Sequence, residues 1–252
     1  MRRIFLTIAG LMLLAAPAAA SDGKEAAARA VAAAQALKQQ ASQAAAAGKR
    51  LDFTSGPASE HLNRIFDSKA FAELPPAAAS DMPWMLDWIG AVSTTNHTLL
   101  DFGSSSKRTT QPDFTVIARN LRDYEDQITI AMAFQQRLFP RVLESGYEFL
   151  ASLPEAERTP VRLKGLEKVM ASYLDTIKGA ICFAGDSTIK PANARMVAAA
   201  VRELADTWIE LTEDDIRKQF VDLVTAALQG TKDEEIAQHF RAIQGALGAA
   251  KS

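Results

Sequence analysis

A single cysteine, Cys182, stands in a chain of 252 residues, so no disulfide can form within one molecule. The fold must therefore be held by its core alone, and a chain of this length buries enough surface for that. The apolar run Ile181-Cys182-Phe183 predicts a buried, unreactive thiol. Histidine is equally sparse: His61, His97 and His239 lie far apart. No H-E-x-x-H occurs and no paired Glu-x-x-His, which excludes zinc-protease and di-metal carboxylate chemistry of those types. Haem attachment through C-x-x-C-H is excluded by the cysteine count. No cofactor is expected.

Other catalytic signatures are missing as well. There is no G-x-S-x-G. Ser-x-x-Lys occurs at Ser21/Lys24, Ser104/Lys107 and Ser187/Lys190, in three unrelated places and without the companion elements of the penicillin-binding families. Gly103-Ser104-Ser105-Ser106-Lys107 lacks the second glycine of a phosphate cradle. Charge of one sign is lacking: 28 basic and 30 acidic residues leave a net −2, no electrostatic footprint for nucleic acid. No long stretch alternates with period two, so no sheet is expected.

What is present begins with the leader. Met1-Arg2-Arg3 is a positive start, Ile4 to Ala16 is free of charge, and Pro17 precedes Ala18-Ala19-Ala20. That order is an export signal with small residues at a cleavage point after Ala20. The apolar run is shorter than the roughly 20 residues of a bilayer span. Residue 21 is Ser, so a lipid-anchored start is not expected, and no later run approaches spanning length. The expected product is a bacterial periplasmic or secreted protein, with no integral membrane span once the leader is removed.

Residues 21–56 then read as an Ala-rich arm and linker. Alanine is the best helix former, so residues 24–47 are expected to be helical. Val31 and Leu37 are their only larger apolar residues, which predicts an exposed arm or a weakly packed Ala helix. Residues 57–252 form the bundle domain. Apolar residues recur in steps of three and four from Phe114 through Ile117, Leu121, Tyr124 and Ile128 to Val142, predicting one long helix. Similar stripes run over Leu163–Ile181, Val197–Leu211, Ile216–Ala227 and Ile236–Leu247. Thr231-x-x-Glu234 reads as a capping box, and Asp81-Met82-Pro83 opens a helix bearing Trp84 and Trp88. Short links between stripes predict an all-α, antiparallel up-and-down bundle of about six to seven helices with an Ala-rich N-terminal helical arm.

Within that frame six residues carry the functional expectations. Trp84 and Trp88, at i and i+4, share a face that packs into the core, lines an apolar pocket or anchors a partner. His97 and Asp101 stand one turn apart. Tyr124 lies beside Asp123, Glu125 and Asp126, which read as a solvated face paired to Arg119 and Arg122. Gln135 interrupts the longest apolar stripe and is expected inside the bundle, where its amide needs partners. The first function in view is a non-enzymatic binding protein whose partner is a protein or a small apolar molecule, engaged through the arm or the Trp face. The alternative is a small-molecule or metal-binding sensor with a pocket between helices. A hydrolase or lyase assembled from distant helices ranks last.

Export predicts that the protein recovered from the periplasm of an expressing bacterium begins at Ser21 on N-terminal sequencing. Full-length chain beginning at Met1 and confined to the cytosol would contradict it.

Overall fold

Helix after helix accounts for the chain, in the order the apolar stripes dictate. The computed structural model describes the backbone of residues 16–104 and 113–249 and the side chains of residues 22–104 and 113–249. The leader at 1–20 lies largely outside the described residues, as does most of the Ser/Thr-rich link after Gly103. Among the described residues there is no strand, and the fold is all-α. No described helix is long and apolar enough to cross a membrane.

The first half is built from α1 (Ala16–Ala46), α2 (Gly56–Ile65), α3 (Ser68–Ala72) and α4 (Met82–Leu100). After these, α5 (Phe114–Asp123) leads into the longest later helix, α6 (Glu125–Ser152). The second half comprises α7 (Pro160–Gly185), α8 (Pro191–Glu203), α9 (Ala205–Glu210), α10 (Asp214–Gly230) and α11 (Glu234–Ala249). These are more segments than the stripes predicted, and the reason is local. The stripe from Phe114 to Val142 breaks at Tyr124 (φ −125°, ψ 26°), and that from Val197 to Leu211 breaks at Leu204 (φ −107°, ψ 13°). Apolar spacing is kept across each break, so periodicity alone does not reveal it. Pro140, by contrast, is accommodated inside a continuous α6.

The Ala-rich segment packs by one face. Ala26, Ala30, Ala33, Leu37 and Ala41 are buried along one face of α1, which packs on α2 and α4. Each alanine hides little area, but the absence of bulk lets the backbones approach closely, so burial is spread over many small contacts. Gly23 extends the seam: a methyl there would meet Leu74 Cδ2 at 2.7 Å and Trp84 Cη2 at 3.0 Å. One face of α1 is thus part of the core, while most of residues 42–56 are exposed.

Helix α6 is the shared element. Ala131, Phe134, Leu138 and Val142 face the cluster built from α1, α2 and α4, where Trp88, Phe71 and Phe66 surround Phe134 at centroid distances of 5.4–5.7 Å. Phe139, Leu143 and Leu150 face the second cluster, built from α7 to α11 around Tyr173, Trp208, Phe220 and Phe240. A helix buried on two sides needs apolar residues well beyond one stripe, and α6 supplies them.

Polar groups tie the elements together. Glu125, at the start of α6, accepts from the Lys190 backbone N–H (2.9 Å) and from Asn193 Nδ2 (2.7 Å), holding the first turn of α8. Asp126 accepts from Asn193 Nδ2 (2.7 Å) and Lys190 Nζ (2.7 Å). The Asn193 bond, then Lys190, hold its carboxyl below the usual range. Asp123 pairs with Arg50 at 2.7 Å, while Arg119 donates to the Phe102 carbonyl. Among the described residues the expected pairs Arg119/Asp123 and Arg122/Asp126 do not form. Arg119 and Asp123 share α5 but are turned to Phe102 and Arg50, while the break at Tyr124 separates Arg122 on α5 from Asp126 on α6. The cap of α11 also shifts: Asp233 accepts from the N–H groups of Glu235 and Ile236, and Thr231 Oγ1 accepts from the Asp233 N–H.

Cys182 corrects its sequence reading. It is exposed, because Tyr173, Ile177, Ile181 and Ala184 hold the inward stripe of α7 and Cys182 falls one step outside it.

Two positions test the packing. A methyl on Gly185 would sit 2.8 Å from the Ala227 Cα, where the ends of α7 and α10 meet backbone to backbone. Gly185→Ala is therefore expected to cost about 1–3 kcal/mol in denaturant unfolding. Gly90→Ala, whose added methyl meets nothing within 4 Å, is expected to be neutral or stabilising by up to about 1 kcal/mol.

Candidate functional site

Three helices, α4, α6 and α7, enclose an open groove of about 530 Å³. Its geometry follows from how the three lie. Near one end, a methyl on Gly146 of α6 would meet Leu166 of α7 at 2.7 Å and Met82 of α4 at 3.8 Å. Toward the other end, Gln135 of α6 accepts from Asn96 Nδ2 of α4 (3.1 Å), and Gln136 Nε2 donates to the Thr176 carbonyl of α7 (3.2 Å). Residue numbers fall along α6 while they rise along α4 and α7. Both helices therefore run antiparallel to α6 and parallel to one another, with α6 as the floor between two walls.

The walls are lined by residues too small to close over that floor. Gly90 and Ser93 stand on α4, and Ser172 and Thr176 on α7. An apolar stretch of Leu86, Ile89, Phe139 and Val169 occupies the groove together with polar Asn96, His97, Gln135 and Lys168. Beneath it, Phe139 stacks on Tyr173 with centroids 5.3 Å apart. The Tyr173 hydroxyl is buried without a partner among the described residues, and burial raises its pKa far above the usual tyrosine range.

Of the six residues singled out from sequence, the groove gathers two. His97 and Gln135 both line it, from different helices. Gln135 is half-buried at the groove rather than inside the bundle, and its neighbour Gln136 is the fully buried amide. The two positions differ by one step of about 100° around the helix, which the stripe alone does not resolve.

Trp84 and Trp88 lie in the core instead of on a face. Trp88 is fully buried and its indole donates to the Ile65 carbonyl at 2.9 Å, while Trp84 donates to Asp81 Oδ1 at 3.3 Å. Neither lines the groove, so a Trp-based contact surface is not presented. Tyr124 packs edge-on against Phe53 and Phe102, at 5.6 and 5.5 Å, and its hydroxyl accepts from the Leu51 N–H (3.3 Å). Burial, the largest influence on it, raises its pKa. This places Tyr124 at the end of the bundle as a clasp on the chain after α1. Asp101 caps α4 through its backbone and is exposed. Among the described residues no group of three His, Cys, Asp or Glu is arranged to hold a metal ion.

Asn96, Ser93 and Lys168 were missed in the sequence. A faint signal exists for the first two: on α4, Gly90, Ser93 and then Asn96 and His97 recur in steps of three and four as a small or polar stripe beside the apolar one. Lys168 sits on an exposed part of α7 and only the fold brings it to the groove.

Comparisons with protein-family models, with curated proteins and with solved structures find no match.

Exposure separates clasp from groove experimentally. Tyr124→Phe leaves the buried Leu51 N–H without its acceptor and is expected to cost about 1–2 kcal/mol. Lys168→Gln, at an exposed position, is expected to change unfolding free energy by less than about 0.5 kcal/mol.

Proposed function

We propose that this chain is an exported binding protein, acting without catalysis, that takes a small organic molecule with an apolar body into the groove between α4, α6 and α7. The observation that carries this reading is the convergence of His97 and Gln135, from separate helices, on one concavity that also holds the Asn96–Gln135 hydrogen bond. A concave site with an apolar lining and a few convergent polar groups is the usual form of a small-molecule site. The apolar stretch of Ile89, Phe139 and Val169 offers area for hydrophobic burial, and the amides fix orientation. The leader-like residues 1–20 support a periplasmic setting. The Ala-rich segment and the Trp pair, both absorbed into the core, leave the groove as the better-supported contact.

Binding to the folded state raises stability by mass action, by about 2.7 kcal/mol at a ligand concentration one hundred times Kd. For a chain of this size that is a rise in Tm of roughly 5–10 °C. A thermal-shift screen of small amphiphilic molecules is expected to find such a ligand. Gly90→Leu, which fills open space in the groove wall, is expected to abolish the shift while retaining helical circular dichroism. A shift that survives Gly90→Leu would contradict the groove as the site.

A further inference from the structure

Charge in the groove departs from charge in the chain. The protein carries 30 acidic residues against 28 basic ones, yet no aspartate or glutamate lines this concavity, and Lys168 does. Lys168 is exposed and makes no ion pair with the described residues. An ammonium on one wall with no carboxylate facing it attracts an anion.

Its position along the groove adds a second constraint. Lys168 lies two residues from Leu166, which marks the Met82/Gly146 end, whereas Thr176 lies at the Asn96/Gln135 end. Eight helical residues separate Lys168 from Thr176, an axial distance of about 12 Å at 1.5 Å per residue. Between them sit Ile89, Phe139 and Val169. At the far end Gln135 Oε1 is taken by Asn96. Among the described residues neither Gln135 Nε2 nor the buried Asn96 Oδ1 has a partner, leaving N–H donors and a carbonyl acceptor at that end. The order along the groove is thus cation, apolar floor, amide groups.

We infer that the ligand is an elongated organic carboxylate whose head group meets Lys168, whose hydrocarbon body lies over Ile89, Phe139 and Val169, and whose far end reaches the Gln135 amide. This rests on the groove being the binding site and adds the polarity and direction of its occupant. The lysine contact is solvent-facing, so its contribution is modest and weakens with salt.

Isothermal titration of the full mature chain with octanoate, octanol and octylamine at low ionic strength tests it. Octanoate is expected to bind tightest. Lys168→Gln is expected to weaken octanoate about fivefold and leave octanol unchanged, and Lys168→Glu to turn the preference toward octylamine. Equal affinity for the three probes, or octanoate binding that Lys168→Gln leaves unaltered, overturns the carboxylate assignment while the groove stands, provided Gly90→Leu still abolishes binding. Binding of none of the three, or binding that Gly90→Leu leaves intact, removes the groove as the site and the assignment with it.

Discussion

The structure depends on one helix being buried from two sides. α6 presents Phe134, Leu138 and Val142 to the alanine-rich half, and Phe139, Leu143 and Leu150 to the half built from α7 to α11. Neither half closes without it. The first has an alanine helix with little area per residue, and it needs Phe134 between Trp88, Phe71 and Phe66 to fill its centre. The second uses Phe139 against Tyr173 where α7 crosses the same helix. Glu125 reinforces the arrangement by bonding the first turn of α8 to the first turn of α6. With no disulfide available within the chain, this two-sided packing carries the linkage between halves.

The groove is a consequence of the same arrangement. Two helices laid parallel on a common floor meet each other only as far as their side chains allow. Had the facing positions been large, α4 and α7 would have closed over α6. Gly90, Ser93 and Ser172 leave a trench instead, and the space beside Gly90 is empty to 4 Å. Residues that stabilise little at that line leave the concavity open, and polar Gln135 and Lys168 arrive there because they need not be buried.

Much of the scaffold was legible in the sequence, and far less of the site. Steps of three and four placed the later helices because each buries one continuous face, and Asp81-Met82-Pro83 marked the start of α4 correctly. Breaks at Tyr124 and Leu204 were invisible because the apolar register continues across them. The alanine segment misled in the opposite sense: little apolar area per residue reads as exposure, although close approach buries Ala30, Ala33 and Leu37. At the site, His97 stood out by its spacing to Asp101 and Gln135 as the interruption of an apolar stripe. Lys168 did not, since an exposed lysine on an amphipathic helix is ordinary until the neighbouring helix is in place. Spacing locates a residue on its own helix, and only packing says which other helix it meets.

The three tryptophans make the central linkage measurable, because Trp84 and Trp88 report on the alanine-rich half and Trp208 on the other. Urea unfolding is followed by fluorescence in a Trp208→Phe chain, in a Trp84→Phe/Trp88→Phe chain, and in each again with Leu138→Ala in the middle of α6. Coincident transitions from both reporters, shifted together by Leu138→Ala, are the predicted result. Two separate transitions, with Leu138→Ala moving only the one reported by Trp84 and Trp88, would show that the halves stand independently and contradict the account.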